Sequence, residues 1–149
     1  MSFITKLIYA RTTPVVGRFI HEMLGIYGID IPNNVKIGPG LVVHHRGNGI
    51  VITPKAVIGA NVHIFHQVTL GTRTSPEGKS LPDVAITIGD GCILYPGSKV
   101  VGGWRPTHVG AGTEIAPNSV LTKSTGDNEV WSGVPAILVK GRQSKAPRS

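Results

Sequence analysis

The sequence predicts an all-β solenoid, a parallel β-helix of short coils, from two observations about spacing. Aliphatic residues recur every six positions, as in Ile52, Ile58, Ile64 and Leu70. A small or aliphatic residue follows four positions after most of them, and a glycine often follows directly. This period fits neither the 3.6-residue repeat of a helix nor the two-residue repeat of a strand. Three hexapeptides would close one coil of about 18 residues, and successive coils would stack about 4.8 Å apart.

The same phase continues along the chain through two interruptions. The further in-phase aliphatic residues are Ile37, Val43, Ile88, Leu94, Val100, Val109, Ile115 and Leu121. The residues four positions on, predicted to fill the corners, are Leu41, Ala56, Val62, Val68, Cys92, Ser98, Thr113 and Ser119. Glycine and Asn suit the turns between sides, because positive φ costs them little. A β-sandwich with coincidental spacing is the alternative, and the number of in-phase positions argues against it.

The first residues of the chain predict a short helical segment over 3–27. Pro14 is expected to start a second helical piece, and Gly28 to end it. The second piece carries one apolar face, made of Phe19, Ile20, Met23 and Leu24. Two interpretations follow. The segment caps the open end of the solenoid, which would otherwise expose strand edges, or it associates weakly with a membrane surface.

An insertion in the repeat predicts which side chains stack on neighbouring coils. From Val43 the next in-phase residue is Ile52, nine positions on instead of six. The three extra residues lie within 46–49 and should form a tight outward turn. One coil plus this insertion shifts the stacking to about 21 residues. The shift places Val43 over Ile64, His44 over Phe65, and His45 over His66.

The remaining segments interrupt the repeat or follow it. Residues 72–83 carry Pro, Gly, Ser and charge without any repeat, which predicts a projecting functional loop. A second interruption over 102–108 places Trp104 and Arg105 on a small protrusion. The coils are expected to end near Leu121. The predicted division is a helical cap over 1–27, a β-helix over 28–124, and a C-terminal segment with a disordered tail over 125–149.

Composition limits the classes of partner and the compartment. The chain has 149 residues and a formal charge of +7. The basic residues are scattered except near the C-terminus, and no nucleic-acid-binding motif accompanies them, so a nucleic-acid partner is not expected. No apolar run approaches the roughly 20 residues of a spanning helix, and no signal-peptide pattern is present. A single cysteine, Cys92, makes no intramolecular disulfide and favours a reducing, cytoplasmic location.

His45 is the candidate general base. Asp30 precedes it by 15 residues, slightly less than one coil, so the two can lie side by side on neighbouring turns. A carboxylate on one ring nitrogen orients the imidazole, and the other nitrogen can then take a proton from a hydroxyl or amine. The alternative is a solvated histidine on a turn. A metal site at His44, His45 and His66 is not expected, because neighbouring side chains on a strand point to opposite sides.

These residues belong to a longer pattern that resembles a known family. Between Gly28 and Gly141 the chain contains GIDI, KIGPGLVVHH, GIVI, AVIGANV, VTLG, IGDG, VGAG, APNSVL and SGVPA. The combination resembles the hexapeptide-repeat acyltransferases, closest to a short form of the serine acetyltransferase branch. The resemblance implies a left-handed parallel β-helix, a homotrimer with active sites between subunits, and direct acetyl transfer from acetyl-CoA to a hydroxyl or amine.

The resemblance also implies roles for individual residues. His45 matches the catalytic histidine of the family, and Asp30 matches the aspartate that pairs with it. The loop over 72–83 matches one that borders the acceptor and CoA sites. The residues that match regions holding CoA are Gly71, Gly102, Gly103, Ala111, Gly133, Pro135, Ala136, Lys140 and Arg142.

Departures from the family pattern indicate which acceptor to expect. The family usually has an aspartate before the catalytic histidine, where this chain has His44, and an Arg-His pair before a proline, where this chain has Ser80 and Leu81. Without groups for an ammonium and a carboxylate, a sugar or polysaccharide hydroxyl is the expected acceptor. The predicted acceptor-binding residues are His44, His66, Trp104 and Arg105. Serine O-acetylation in cysteine synthesis and a non-catalytic scaffold are the alternatives.

Overall fold

The computed structural model describes residues 1–73 and 81–141, which form two helices, one short 3₁₀ turn and fourteen strands. The helices are α1 (Phe3–Ala10) and α2 (Gly17–Ile26), and the 3₁₀ turn is His45–Gly47. The strands are β1 (Lys36–Ile37), β2 (Val42–Val43), β3 (Val51–Ile52), β4 (Ala56–Ile58), β5 (His63–Ile64), β6 (Thr69–Thr72), β7 (Ile86–Ile88), β8 (Ile93–Leu94), β9 (Lys99–Gly102), β10 (Thr107–Val109), β11 (Glu114–Ile115), β12 (Val120–Leu121), β13 (Glu129–Gly133) and β14 (Ala136–Gly141).

Three parallel sheets form the three sides of a β-helix, as the six-residue period predicts. Their strand orders are β1-β4-β7-β10, β2-β5-β8-β11-β13 and β3-β6-β9-β12, with β14 added to the second. Each strand pairs with the strand one coil later, so that Val43 pairs with Ile64 and Ile64 with Leu94. The pairing of Val43 with Ile64 confirms the predicted shift of 21 residues.

The inward ladder of aliphatic side chains forms the core. The predicted in-phase residues Ile52, Ile58, Ile64, Leu70, Ile88, Leu94, Val100, Val109, Ile115 and Leu121 are all buried. Cys92 fills a corner as predicted, and its thiol donates to the carbonyl of Gly110 at 3.0 Å. Burial raises the pKa of the Cys92 thiol to about 11, so the group is held neutral.

The insertion between β2 and β3 forms the tight outward turn that the spacing predicts. His45, Arg46, Gly47 and Gly49 all have positive φ, with values of 49°, 61°, 68° and 74°. Glycine avoids a steric clash at position 47, because a Cβ there would lie 2.7 Å from Cγ1 of Val43. The turn therefore presents two non-glycine residues in a left-handed conformation.

The helical segment differs from its prediction in where it breaks. The second helix begins at Gly17 rather than Pro14, and the intervening residues 11–16 lie outside both helices. A Cβ at Gly17 would meet the carbonyl oxygen of Arg11, so glycine allows this close approach. Within the predicted apolar face Leu24 is fully buried, but Phe19 is 68% exposed. Only one edge of that face packs on the core.

Two side chains of the α1 segment attach it to the first coil. The Tyr9 hydroxyl donates to the Gly38 carbonyl at 2.6 Å and accepts from the Leu41 N–H at 3.1 Å. The buried Arg11 guanidinium donates to the carbonyls of Ile8, Pro32 and Val35. Burial lowers the pKa of Arg11 from its ordinary value. These bonds tie the segment to the first coil. Neither described helix is long and apolar enough to cross a membrane.

Parallel pairing continues beyond Leu121, where the sequence predicted that the coils end. β13 pairs in parallel with β11, with Ile115 opposite the buried Trp131. The chain then turns through a cis Val134–Pro135 bond, and β14 pairs with β13 in the antiparallel direction. The three-part division of the chain stays a prediction. Residues 74–80 of the predicted loop and the tail over 142–149 lie outside the described residues.

Candidate active site at the turn between β2 and β3

Two pairs of aromatic rings bring the candidate base against the next coil. The His44 ring stacks on the Phe65 ring, with centroids 4.1 Å apart and planes 10° apart. The His45 ring meets the His66 ring edge to face, with centroids 5.4 Å apart. Both contacts confirm the stacking predicted from the insertion. His45 is exposed on its turn, so a substrate can reach the ring.

His63 is a member of this cluster that the sequence reasoning missed. The Nε2 atom of His44 lies 3.1 Å from Nδ1 of His63, within a hydrogen bond. Partial burial lowers the pKa of His44, and the neighbouring His63 and His45 lower it further, so its neutral form is favoured. The predicted stacking places His63 of β5 opposite Val42 of β2. Its contact with His44 is therefore with a residue two positions further along the neighbouring chain segment. Strand alternation was the available signal, since His63 and Phe65 project outward around Ile64.

Asp30 lies on the coil adjacent to the turn of His45. Its N–H donates to the Ile50 carbonyl at 2.8 Å, and its carbonyl accepts from the Ile52 N–H at 2.8 Å. It forms an isolated parallel bridge with Val51, so it flanks the strand that leaves the turn. Within the described ranges no hydrogen bond or ion pair joins the carboxylate of Asp30 to His45. Their pairing stays a prediction.

His66 supplies a polar atom beside the candidate base. Its Nδ1 is buried and has no hydrogen-bond partner among the described residues. Its ring contacts the ring of His45 edge to face, and its role in binding the acceptor stays a prediction.

Two of the four predicted acceptor residues lie elsewhere. Trp104 and Arg105 line a cavity of about 450 Å³ that does not include His44, His45 or His66. The other residues that line it are Gly103, Pro106, Thr107, Thr122, Lys123 and Ser124. The guanidinium of Arg73 lies 6.0 Å from the centroid of the Trp104 ring. The predicted acceptor set is therefore divided between the histidine cluster and a second, basic cavity.

The residues matched to CoA-binding regions fall into three places. Gly71 and Gly102 lie on paired strands of one face, and Gly103 lines the cavity of Trp104. Ala111 already uses its N–H to donate to Oδ1 of Asp127 at 2.8 Å. The others belong to the β13–β14 hairpin, namely Gly133, Pro135, Ala136 and Lys140. Arg142 lies outside the described residues.

A resident metal site has no candidate in this part of the chain. Among residues 1–73 and 81–141, no group of three or more His, Cys, Asp or Glu could hold a metal ion.

Comparison with known proteins finds relatives that are named as serine acetyltransferases. No family model matches the chain. It is 33% identical over 138 residues to a serine acetyltransferase of Staphylococcus epidermidis, which covers 92% of this chain and 61% of that protein. It is 35% identical over 122 residues to serine acetyltransferase 2 of Arabidopsis thaliana, which covers 82% of this chain and 35% of that protein. Over most of its length the chain is similar to the serine acetyltransferase-like branch of the hexapeptide-repeat acyltransferases.

Solved structures of this branch share the fold. Serine acetyltransferase from Vibrio cholerae superposes with a TM-score of 0.75 at 28% identity, covering 94% of this chain and 52% of that one. The Brucella abortus enzyme in complex with coenzyme A superposes with a TM-score of 0.74 at 30% identity, covering 91% of this chain and 52% of that one. These neighbours confirm the left-handed parallel β-helix. The chain spans about 61% or less of the length of the relatives named here.

The expectation of a sugar or polysaccharide acceptor is wrong. The relatives and the structural neighbours are serine acetyltransferases, which supports the serine alternative. The expectation rested on missing charged groups at His44 and at Ser80–Leu81. An ammonium and a carboxylate require donors and acceptors in space rather than at fixed positions in the sequence, so those two absences were insufficient evidence.

Proposed function

We propose that this protein is an acetyl-CoA-dependent serine O-acetyltransferase with His45 as its general base. The observation that carries the proposal is the exposed His45 ring, held on a tight turn against His66, in a chain similar to serine acetyltransferases. Structures of related serine acetyltransferases in complex with coenzyme A and with serine support the two substrates.

The proposed reaction is a direct transfer that needs no covalent enzyme intermediate. One ring nitrogen of His45 takes the proton of the serine hydroxyl as its oxygen attacks the thioester carbonyl of acetyl-CoA. The C–S bond then breaks, and the leaving CoA thiolate recovers the proton from the imidazolium. Asp30, on the neighbouring coil, stabilises the imidazolium while it exists.

We also propose a homotrimer, as the resemblance implies. Val42 and Val51, on the strands before and after the turn of His45, are 38% and 43% exposed. A neighbouring subunit packed on these strands would bury both valines and enclose the exposed ring of His45. An enclosed site strengthens the electrostatic interactions that stabilise charge in the transition state.

The proposal includes the organisation and the location predicted from the sequence. The hydrogen bonds of Tyr9 and Arg11 to the first coil support a helical cap on a β-helix domain. The single, buried Cys92 is compatible with a cytoplasmic location. The β13–β14 hairpin and the cavity of Trp104 are the proposed contacts of CoA.

Release of free CoA thiol from acetyl-CoA in the presence of L-serine tests the activity. We expect transfer by the wild type and a fall of about 100-fold or more in His45→Ala, because a positioned general base contributes that much. Asp30→Asn should slow transfer less than His45→Ala. His108→Ala is the matched control, since His108 is exposed on β10. A His45→Ala variant that keeps the wild-type rate would overturn the assignment of the base.

A set of acceptors tests the substrate. L-serine should be acetylated faster than glycerate, which lacks the ammonium, and ethanolamine, which lacks the carboxylate. A site that binds both charged groups loses binding energy with each truncation. Equal rates for ethanolamine and L-serine would contradict a serine acetyltransferase.

A further inference from the structure

A cavity between the helical cap and the turn of His45 is not explained by the proposed reaction. Its volume is about 450 Å³, within the range of roughly 300–1,000 Å³ typical of small-molecule sites. None of the residues predicted to bind acetyl-CoA or the acceptor lines it. Its lining residues are Ser2, Phe3, Ile4, Tyr27, Val43 and Arg46.

Arg46 gives this cavity a positive charge. It is exposed, and within the described ranges its guanidinium makes no hydrogen bond or ion pair. No acidic side chain lines the cavity to balance it. A guanidinium presents paired N–H donors that match the geometry of a carboxylate or a phosphate.

Two residues at the start of α1, Phe3 and Ile4, line the same cavity and carry backbone donors. Thr5 donates its N–H to the Ser2 hydroxyl, and Lys6 donates its N–H to the Ser2 carbonyl. The N–H groups of Phe3 and Ile4, which line the cavity, make no hydrogen bond within the described residues. The first turn of α1 contains no acidic side chain. Unpaired N–H groups at the start of a helix stabilise a nearby anion.

The remaining wall of the cavity is apolar and partly open to water. The Phe3 side chain is 68% exposed and the Tyr27 side chain is 48% exposed, whereas Val43 beneath them is buried. A bound group that covers the two aromatic rings would remove apolar surface from water. Serine has no apolar segment that could do so.

We propose that this cavity binds a small amphipathic anion, a carboxylate joined to a short apolar chain, with Arg46 as its anion-binding residue. The carboxylate accepts hydrogen bonds from the guanidinium and from the N–H groups at the start of α1. The apolar chain lies against Phe3 and Tyr27. This site is separate from the acetyl-transfer chemistry and does not depend on the acceptor of that reaction.

Calorimetric titration of the full chain with sodium octanoate tests the site. We expect saturable binding with one site per chain, and clearly weaker binding of octanol, which has the chain without the charge. Arg46→Met should weaken octanoate binding by about tenfold or more, because a charge-assisted hydrogen bond is lost. Arg18→Met is the matched control and should bind as the wild type does, since Arg18 is exposed on α2 and does not line the cavity.

A second variant separates the apolar contact from the charge. Phe3→Ser should weaken octanoate binding more than butyrate binding, because only the longer chain reaches the ring. Phe3 is mostly exposed, so the fold does not depend on it. The proposal is overturned by unsaturable octanoate binding, by equal binding of octanol, or by wild-type affinity in Arg46→Met. Serine acetylation is measured separately, and its presence or absence does not alter these outcomes.

Discussion

His44 lies between two rings of the next coil, stacked on Phe65 and hydrogen-bonded to His63. Partial burial lowers its pKa, and the neighbouring His63 and His45 add to the effect. The folded protein therefore binds a proton at His44 less readily than the unfolded chain does. Acidification should favour the unfolded chain through this residue.

His44→Gln should make stability less dependent on pH. The pKa of His44 in the fold lies below its ordinary value of 6.5, so its contribution to stability is present above that pH. The contribution is lost as the pH falls through 6.5 toward the lower pKa of the folded state. Melting temperatures measured from about pH 7.5 to about pH 5 should fall less steeply in His44→Gln than in the wild type.

His108→Gln is the control for this measurement. His108 is exposed on β10 and lies outside the histidine cluster, so its substitution should leave the slope unchanged. An identical slope in His44→Gln and the wild type would show that His44 does not contribute to the pH dependence.

The predictability of the site differs from one side chain to another. Counting residues around the insertion predicted that His44 contacts Phe65 and that His45 contacts His66, because register is set by the backbone. The hydrogen bond between His44 and His63 depends on side-chain rotamers, which the spacing of residues does not determine. The Arg46 cavity needs the docked helical cap as its second wall, and no local pattern predicts that docking.

At the scale of single elements, the turn between β2 and β3 depends on Gly47. This glycine has a φ of 68°, and a Cβ would lie 2.7 Å from Val43 and 2.9 Å from Ile50. Gly91 has a φ of 66° with nothing within 4 Å of a Cβ. Gly25, near the end of α2, has neither constraint. Substitutions at the three positions therefore distinguish the cost of steric crowding from the cost of a left-handed backbone conformation.

Alanine at these three positions should give three different losses of stability. Gly91→Ala should cost about 1–2 kcal/mol for its left-handed backbone. Gly47→Ala should cost more, because the Val43 and Ile50 side chains must also move. Gly25→Ala should be neutral or stabilising by up to about 1 kcal/mol. Urea unfolding curves measure the order, and a Gly47→Ala variant as stable as Gly25→Ala would contradict the described turn.

The elements also show where sequence reasoning reached its limit. The strands could be predicted because the six-residue repeat recurs in every coil. A residue that departs from the repeat at one position does not change the prediction, since the neighbouring repeats fix the phase. The break between α1 and α2 follows from tertiary contacts instead. The Arg11 side chain, at the end of α1, donates to the carbonyls of Pro32 and Val35, and Gly17 passes close to the Arg11 carbonyl. A helical period cannot indicate such contacts.

At the scale of the whole molecule, the exposed valines beside the turn of His45 predict how copies associate. Val51→Asp should dissociate the proposed trimer, because a charge there would be buried without a partner. Light scattering should then fall from three times the chain mass of 15.7 kDa to one. Acetyl transfer should fall with it if the site lies between subunits.

Val84→Asp is the matched control for the trimer, since Val84 is also 41% exposed but lies just before β7, which belongs to a different sheet from β2 and β3. It should keep the wild-type mass. A wild type that scatters as a single chain, or a Val51→Asp variant that stays at the wild-type mass, would count against the proposed interface.

The register of the later coils allows whole coils to be duplicated or lost during evolution. On all three faces the partners are 21 positions apart, as with Ile86 and Thr107, Ile93 and Glu114, and Lys99 and Val120. Duplication or loss of a 21-residue unit in the gene would therefore leave every remaining strand opposite a suitable partner. Evolution can therefore lengthen or shorten the β-helix by whole coils, while the histidine cluster on its earlier coils stays unchanged.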